Sequence, residues 1–144
     1  MRVHSFNRVA RDYMAKVTPH RHAHYQTLMH ELQLKGDENL LDVGCGPGII
    51  ALEAAHRLPH GKLTGIDLSS NMIALAQELA LEEGATNVEF KVGDALKLEF
   101  PDNSFDVVIS SLVFPRYRVI EVAADTMFRW VSITPLGVPL EPEV

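Results

Sequence analysis

Hydrophobic positions fall into three patterns along the chain. Phe6, Val9, Ala10, Tyr13, Met14 and Val17 recur at helical spacing, and after Pro19 so do Tyr25, Leu28, Met29 and Leu32, as far as Gly36. Two amphipathic surface helices are therefore expected within residues 1–36, with Gly36 supplying the left-handed turn after the second. From Leu40 the pattern changes: strands are expected at about Leu40–Val43, Leu63–Ile66, Val88–Val92 and Phe105–Ser110, separated by helices at about Gly48–Leu58 and Ser70–Glu83. Such alternation marks βαβ units, so the fold class is α/β: a Rossmann-like, doubly wound parallel sheet with N-terminal helices. Pro59 stops the first inner helix, Ser69 or Ser70 caps the second, and Gly84 lies beyond its end. Met72, Leu75, Ala76 and Leu79 form the sheet-facing side of that second helix.

After Pro115 the pattern weakens. Ile120, Ala124, Met127, Phe128 and Val131 fit one more amphipathic helix, and half of the eight prolines stand at 115, 135, 139 and 142, so an irregular tail is expected after Ser132. Three units result: a helical cap over 1–36, a core over 37–114 and a helix with tail over 115–144. The run Phe105, Val107, Val108, Ile109 suits a strand buried on both faces, yet no convincing fifth strand follows it. Its outer edge would then recruit another chain, giving a homo-oligomer joined near residues 105–140.

Charge and composition narrow the class. Thirteen Lys/Arg against nineteen Asp/Glu give a net charge of −6, distributed unevenly. Residues 1–35 hold six basic and two acidic side chains; residues 36–106 hold four and thirteen. That acidic body repels a phosphate backbone, so nucleic acid is not an expected partner. No apolar run approaches the roughly 18 residues of a membrane span and no secretory h-region is present, which makes the cytoplasm the default location. Cys45, the sole cysteine, can close no intrachain disulfide and build no structural zinc site by itself. His20, His22 and His24 alternate, but no carboxylate or cysteine completes a set with them, and no metal site is expected.

The local chemistry concentrates in Leu40-Leu-Asp-Val-Gly-Cys-Gly-Pro-Gly48, a glycine-rich turn between an apolar strand and a helix. Gly44 permits the tight turn, Gly46 lets a ligand approach bare backbone, and Gly48 starts a helix whose free N–H groups face that ligand. A dinucleotide fingerprint would need glycine where Ile49 stands, so the close helix–strand approach around a pyrophosphate is not expected; nor does a Gly-Lys-Ser/Thr follow for a phosphate loop. A loop of this kind also occurs as a plain turn. Context adds to it: Asp67 ends the second strand, nineteen residues past Gly48, and Gly93-Asp94-Ala95 follows the third. Both carboxylates stand at the carboxyl edge of a parallel sheet, where Asp67 could accept two ribose hydroxyls and Asp94 an exocyclic amine.

Through Leu41–Gly48, Gly65-Ile-Asp-Leu-Ser-Ser-Asn-Met72, Gly93–Ala95 and Phe105-Asp-Val-Val-Ile-Ser-Ser111, residues 5–114 resemble the class I S-adenosylmethionine-dependent methyltransferases. The likeness is to the small-molecule group that includes ubiquinone and menaquinone C-methyltransferases. It implies S-adenosylmethionine as cofactor and a small-molecule methyl acceptor as partner. It places the loop of Gly44, Cys45, Gly46 and Gly48 under the methionine part, Asp67 at the ribose, Met72 beside adenine, Asp94 and Ala95 at the adenine edge and Ser110 with Ser111 near the methyl group, and it adds Asp42 and Leu68 to the cofactor-binding residues. No catalytic residue is assigned. The fourth strand ends Ser-Ser-Leu-Val-Phe instead of Asn/Asp-Pro-Pro-Tyr/Phe, which removes the relatives that methylate amino groups of nucleobases or glutamine; a single cysteine removes those that methylate arsenite. The resemblance ends after the fourth strand, leaving two alternatives to an enzyme: a cofactor-binding remnant without turnover, or an interaction module.

Overall fold

The computed structural model describes residues 26–110 and 129–131. Within them five strands form one parallel sheet: β1 (Asn39–Val43), β2 (Lys62–Asp67), β3 (Val88–Val92), β4 (Val107–Ile109) and β5 (Arg129–Val131), in the order β3-β2-β1-β4-β5. Three helical stretches accompany them: α1, covering residues 26–32, α2 (Ile49–Ala55) and α3 (Ser70–Glu83). The chain builds outward from β1 to β3, then returns to add β4 on the other side of β1. That reversal leaves a crevice above the carboxyl ends of β1 and β4, the place where open α/β sheets take ligands.

Strand alternation divides the interior into two layers. Leu40, Leu63, Phe90 and Ile109 pack with Leu28, Met29 and Leu32 of α1, Ala51 and Ala54 of α2, and Ile73 and Ala76 of α3. On the opposite face Leu41, Val43, Ile66 and Val108 form a second cluster, against which Phe100 and Phe105 pack edge to face at 5.0 Å. Asp42 and Thr64 are the buried polar exceptions among the described residues.

Several expected boundaries need correction. The helix before β1 stops at Leu32, where Gln33 takes the left-handed conformation (φ +45°) expected at Gly36. α2 ends at Ala55, three residues before Leu58, because the backbone tightens into bonds from Arg57 N–H to Ala54 and from Leu58 N–H to Ala55 ahead of Pro59. Asn87 holds that end in place, its amide donating to the carbonyls of Ala55 (2.9 Å) and Leu58 (2.8 Å). Replacing Asn87 by alanine removes one hydrogen bond from each carbonyl, which keep only the backbone N–H of Leu58 and of Gly61 respectively, for an expected loss of about 1–3 kcal/mol in urea unfolding; an unchanged midpoint would show that water replaces the amide. α3 keeps its expected span and caps, Ser69 accepting from the Met72 N–H and Gly84 at φ +66°, but its buried side is Ile73, Leu75, Ala76 and Ala80, with Met72 and Leu79 half-buried.

β4 is shorter than Phe105–Ser110. Phe105 is drawn toward Phe100, and Asp106 is held by Asn39, whose N–H donates to its carboxylate at 2.8 Å. The larger correction is β5. Arg129, Trp130 and Val131 pair in parallel with Val107, Val108 and Ile109, where a helix and an unpaired edge were expected. Aromatic and β-branched residues suit a pleated strand, and pairing satisfies the β4 backbone groups that no helix could reach. β4 therefore has no free edge to offer a second chain. The expected helix over Phe6–Val17, the His20–His24 run and the stretch from Ser111 through Phe128 lie outside the described residues.

Candidate functional site

The site is assembled by three loops at the carboxyl edge. At the end of β1 the chain turns at Gly44 (φ +73°), and the N–H groups of Gly44 and Cys45 both donate to the Ile66 carbonyl, at 2.8 and 2.9 Å, so the turn is pinned onto β2. Gly46 and Gly48 then serve opposite ends. A Cβ added at Gly46 (φ +54°) would meet nothing within 4 Å, whereas one at Gly48 (φ +83°) would lie 2.9 Å from both Ala76 Cβ and Phe90 Cζ. Close helix–sheet approach, not expected in the absence of a glycine at 49, is thus supplied by Gly48. Gly65 supplies the other side: a Cβ there would sit 2.6 Å from Phe90 Cδ1 and 3.0 Å from Cys45 Sγ.

Asp67 ties the loops together. Its Oδ2 accepts the Gly46 N–H and its Oδ1 the Ser69 N–H, each at 2.9 Å, while its carbonyl accepts the Gly93 N–H at 3.0 Å. Leu68 beside it is 74% exposed, a costly position for leucine that leaves apolar surface facing outward at this edge. Asp94 is exposed and accepts the Leu96 N–H at 2.9 Å, and Leu96 is 77% exposed. Leu96 is a candidate that sequence reasoning passed over; it stands directly after the Gly93-Asp94-Ala95 turn.

Asp42 and Ser110 mark the crevice between β1 and β4. Asp42 is fully buried, and among the described residues neither of its carboxylate oxygens has a hydrogen-bond partner; the buried Ser110 hydroxyl has none among them either. Burial, with the nearby Asp67 charge second, pushes the Asp42 carboxyl up to about 8. Two sequence candidates reach the site by backbone alone. Cys45 is buried with the core, and its thiol is pushed well above the usual range by burial, then by Asp42 and Asp67, so it stays protonated. Ala95 packs against the second apolar cluster. A separate cleft of about 350 Å³ opens beneath the turn after β3, lined by Ile66, Lys91, Val92, Asp94 and Phe100 among others; it shares Gly93 and Asp94 with the carboxyl edge but none of the glycine loop.

The donor set suits a polar, nucleoside-bearing ligand: open space over Gly46, orphaned oxygens at Asp42 and Ser110, and the half-engaged Asp67 carboxylate. Among the described residues no group of His, Cys, Asp and Glu could hold a metal ion, and no helix is long and apolar enough to cross a membrane.

Comparison with known proteins places this geometry. Residues 40–132 match the family model described as a methyltransferase domain. A sterol 24-C-methyltransferase of Gibberella zeae is 42% identical over 89 residues, 61% of this chain and 23% of that protein. A demethylmenaquinone methyltransferase of Listeria monocytogenes is 40% identical over 81 residues, 56% of this chain and 34% of its own length. The chain therefore spans about a quarter to a third of these relatives. Among solved structures, phosphoethanolamine N-methyltransferase 2 of Haemonchus contortus in complex with S-adenosyl-L-methionine superposes with a TM-score of 0.56 at 36% identity, covering 62% of this chain and 21% of that one.

Proposed function

Because this chain belongs to the methyltransferase-domain family, we propose that it binds S-adenosylmethionine along the carboxyl edge of β1, β2 and β3 and directs its methyl group to a small-molecule acceptor. The observation that carries this reading is the Asp67 carboxylate. Each of its oxygens accepts one backbone N–H, from Gly46 and from Ser69, which fixes its plane and leaves acceptor capacity on both oxygens for the two hydroxyls of a ribose. Leu68, Met72 and Leu96 offer apolar surface for a base, and Asp94 an acceptor for its exocyclic amine. Gly46 keeps a side chain away from the methionine part, with Asp42 beneath it and the Ser110 hydroxyl at the far wall.

When bound, S-adenosylmethionine supplies a methyl group activated by a sulfonium, transferred by direct displacement. This chain's residues need then only align donor and acceptor and exclude water, so the lack of an assigned general base is in keeping with the chemistry. The Asp67 and Asp94 carboxylates at the edge, in a chain of net charge −6, oppose a nucleic-acid acceptor. The relatives named for a sterol and for demethylmenaquinone support a small, non-polymeric one.

Replacing Asp67 by alanine is expected to weaken S-adenosylhomocysteine binding roughly 10- to 100-fold in calorimetry, the range for hydrogen bonds to a charged group. Unchanged affinity in a folded Asp67→Ala protein, or tighter binding of NAD than of S-adenosylhomocysteine to the unaltered protein, would overturn the reading.

A further inference from the structure

The cleft of about 350 Å³ beneath the turn after β3 lies on the face of the second apolar cluster, apart from the glycine loop. Its volume falls within the range of small-molecule sites, roughly 300–1,000 Å³. Ile66, Leu98 and Phe100 give it an apolar floor. The rim is charged, and its cations are gathered from a body that has few of them. Residues 36–106 carry four basic side chains against thirteen acidic ones, and three of those four stand here. Lys91 and Lys97 line the cleft, and Lys62 joins them through Glu89.

The pairing among these groups leaves positive charge over. Glu89 lies 2.9 Å from the Lys62 ammonium and 3.3 Å from that of Lys91, so one carboxylate serves two cations. Lys91 Nζ also stands 5.7 Å from the centroid of the Phe100 ring, above the apolar floor. Lys97 lies 3.9 Å from Glu99, with side chains 80% and 79% exposed, a contact that water largely cancels. Of the acids on the rim, Asp94 turns one oxygen back into its own turn, accepting the Leu96 N–H at 2.9 Å, and Glu99 extends into solvent. Each ammonium has three N–H donors, more than one carboxylate contact uses.

We propose that this cleft is a second ligand site, which takes a small organic acid with an apolar body: the body against Ile66, Leu98 and Phe100, the carboxylate between Lys91 and Lys97. Its ligand is distinct from the methyl acceptor, because none of the glycine loop lines the cleft. The site does not depend on the cofactor reading above.

The test is equilibrium dialysis of the full chain against a naphthoate, an aryl carboxylate, and against the corresponding naphthamide, its neutral isostere. The naphthoate is expected to bind about fivefold tighter at low ionic strength, the scale of two exposed charge contacts, and the preference should shrink as salt is added. In the double variant Lys91→Gln, Lys97→Gln the two affinities should meet, whereas Lys91→Arg, Lys97→Arg should keep the preference. Saturating S-adenosylhomocysteine should leave the naphthoate bound. Equal affinities for acid and amide in the unaltered protein, a preference that survives the glutamine variant, or displacement of the naphthoate by S-adenosylhomocysteine overturns the proposal.

Discussion

Replacing Gly48 by alanine is expected to destabilise the fold by roughly 2–5 kcal/mol, while the same change two residues earlier, at Gly46, is expected to spare the fold and damage binding. Gly48 sits at φ +83°, where an L side chain costs about 1–2 kcal/mol. Its new methyl would also press on Ala76 Cβ and Phe90 Cζ, both 2.9 Å away. Phe90 cannot retreat, because its ring already lies against Gly65, and overpacking of this kind costs about 1–3 kcal/mol more. Gly46, at φ +54°, carries the backbone strain alone, since a Cβ there meets only open space. That space is where the proposed ligand lies, so Gly46→Ala should unfold within about 2 kcal/mol of the unaltered protein and lose most of its affinity. Urea titration and calorimetry of both variants separate the two roles. Equal stability losses would show that the loop's glycines serve backbone conformation only.

The contrast also shows what a sequence discloses about such a site. The glycine spacing and the strand before it are local, and so are the Ser69 and Gly84 caps of α3; each is legible because the interacting residues lie within a few positions. Which glycine faces ligand and which faces protein is not local. Gly48 and Gly65 are fixed by Phe90, 42 and 25 residues further on, a partner that only strand pairing in register brings into place. β5 was illegible for the same reason. Short apolar runs fit helix and strand equally, and Arg129–Val131 is settled by the hydrogen bonds β4 has to offer. Asp42 stands out only through the family resemblance, whereas Asp67 and Asp94 could be read as ligand-type residues from their places at strand ends. That Asp42 is buried without a partner could not, because it depends on neighbours from β2 and β4 closing over it.

The ligand-free protein should accordingly be stabilised by Asp42→Asn, on the order of 4 kcal/mol at pH 7. Carrying the carboxyl from its ordinary 3.8 to about 8 means that ionisation is opposed in the folded state by burial first and by Asp67 second. Each pH unit between those values is worth about 1.4 kcal/mol. The folded protein holds this proton over a range where the unfolded chain has lost it, so stability is complete below about pH 4 and is surrendered as pH rises toward 8. Asparagine keeps the shape and cannot ionise; like the protonated acid it buries polar atoms without partners, so that desolvation largely cancels in the comparison. Urea unfolding of both proteins at pH 4, 6 and 8 should give stabilities that nearly coincide at the lowest pH and diverge steadily above it, Asp42→Asn being the more stable. Parallel profiles would mean that Asp42 finds a partner in solution, and its orphaned oxygens could then no longer be read as capacity held for a ligand. Divergence that closes again when saturating S-adenosylmethionine is added would place the compensating cation in the crevice itself, since a ligand that binds the ionised folded state restores by mass action the stability that the buried charge removes.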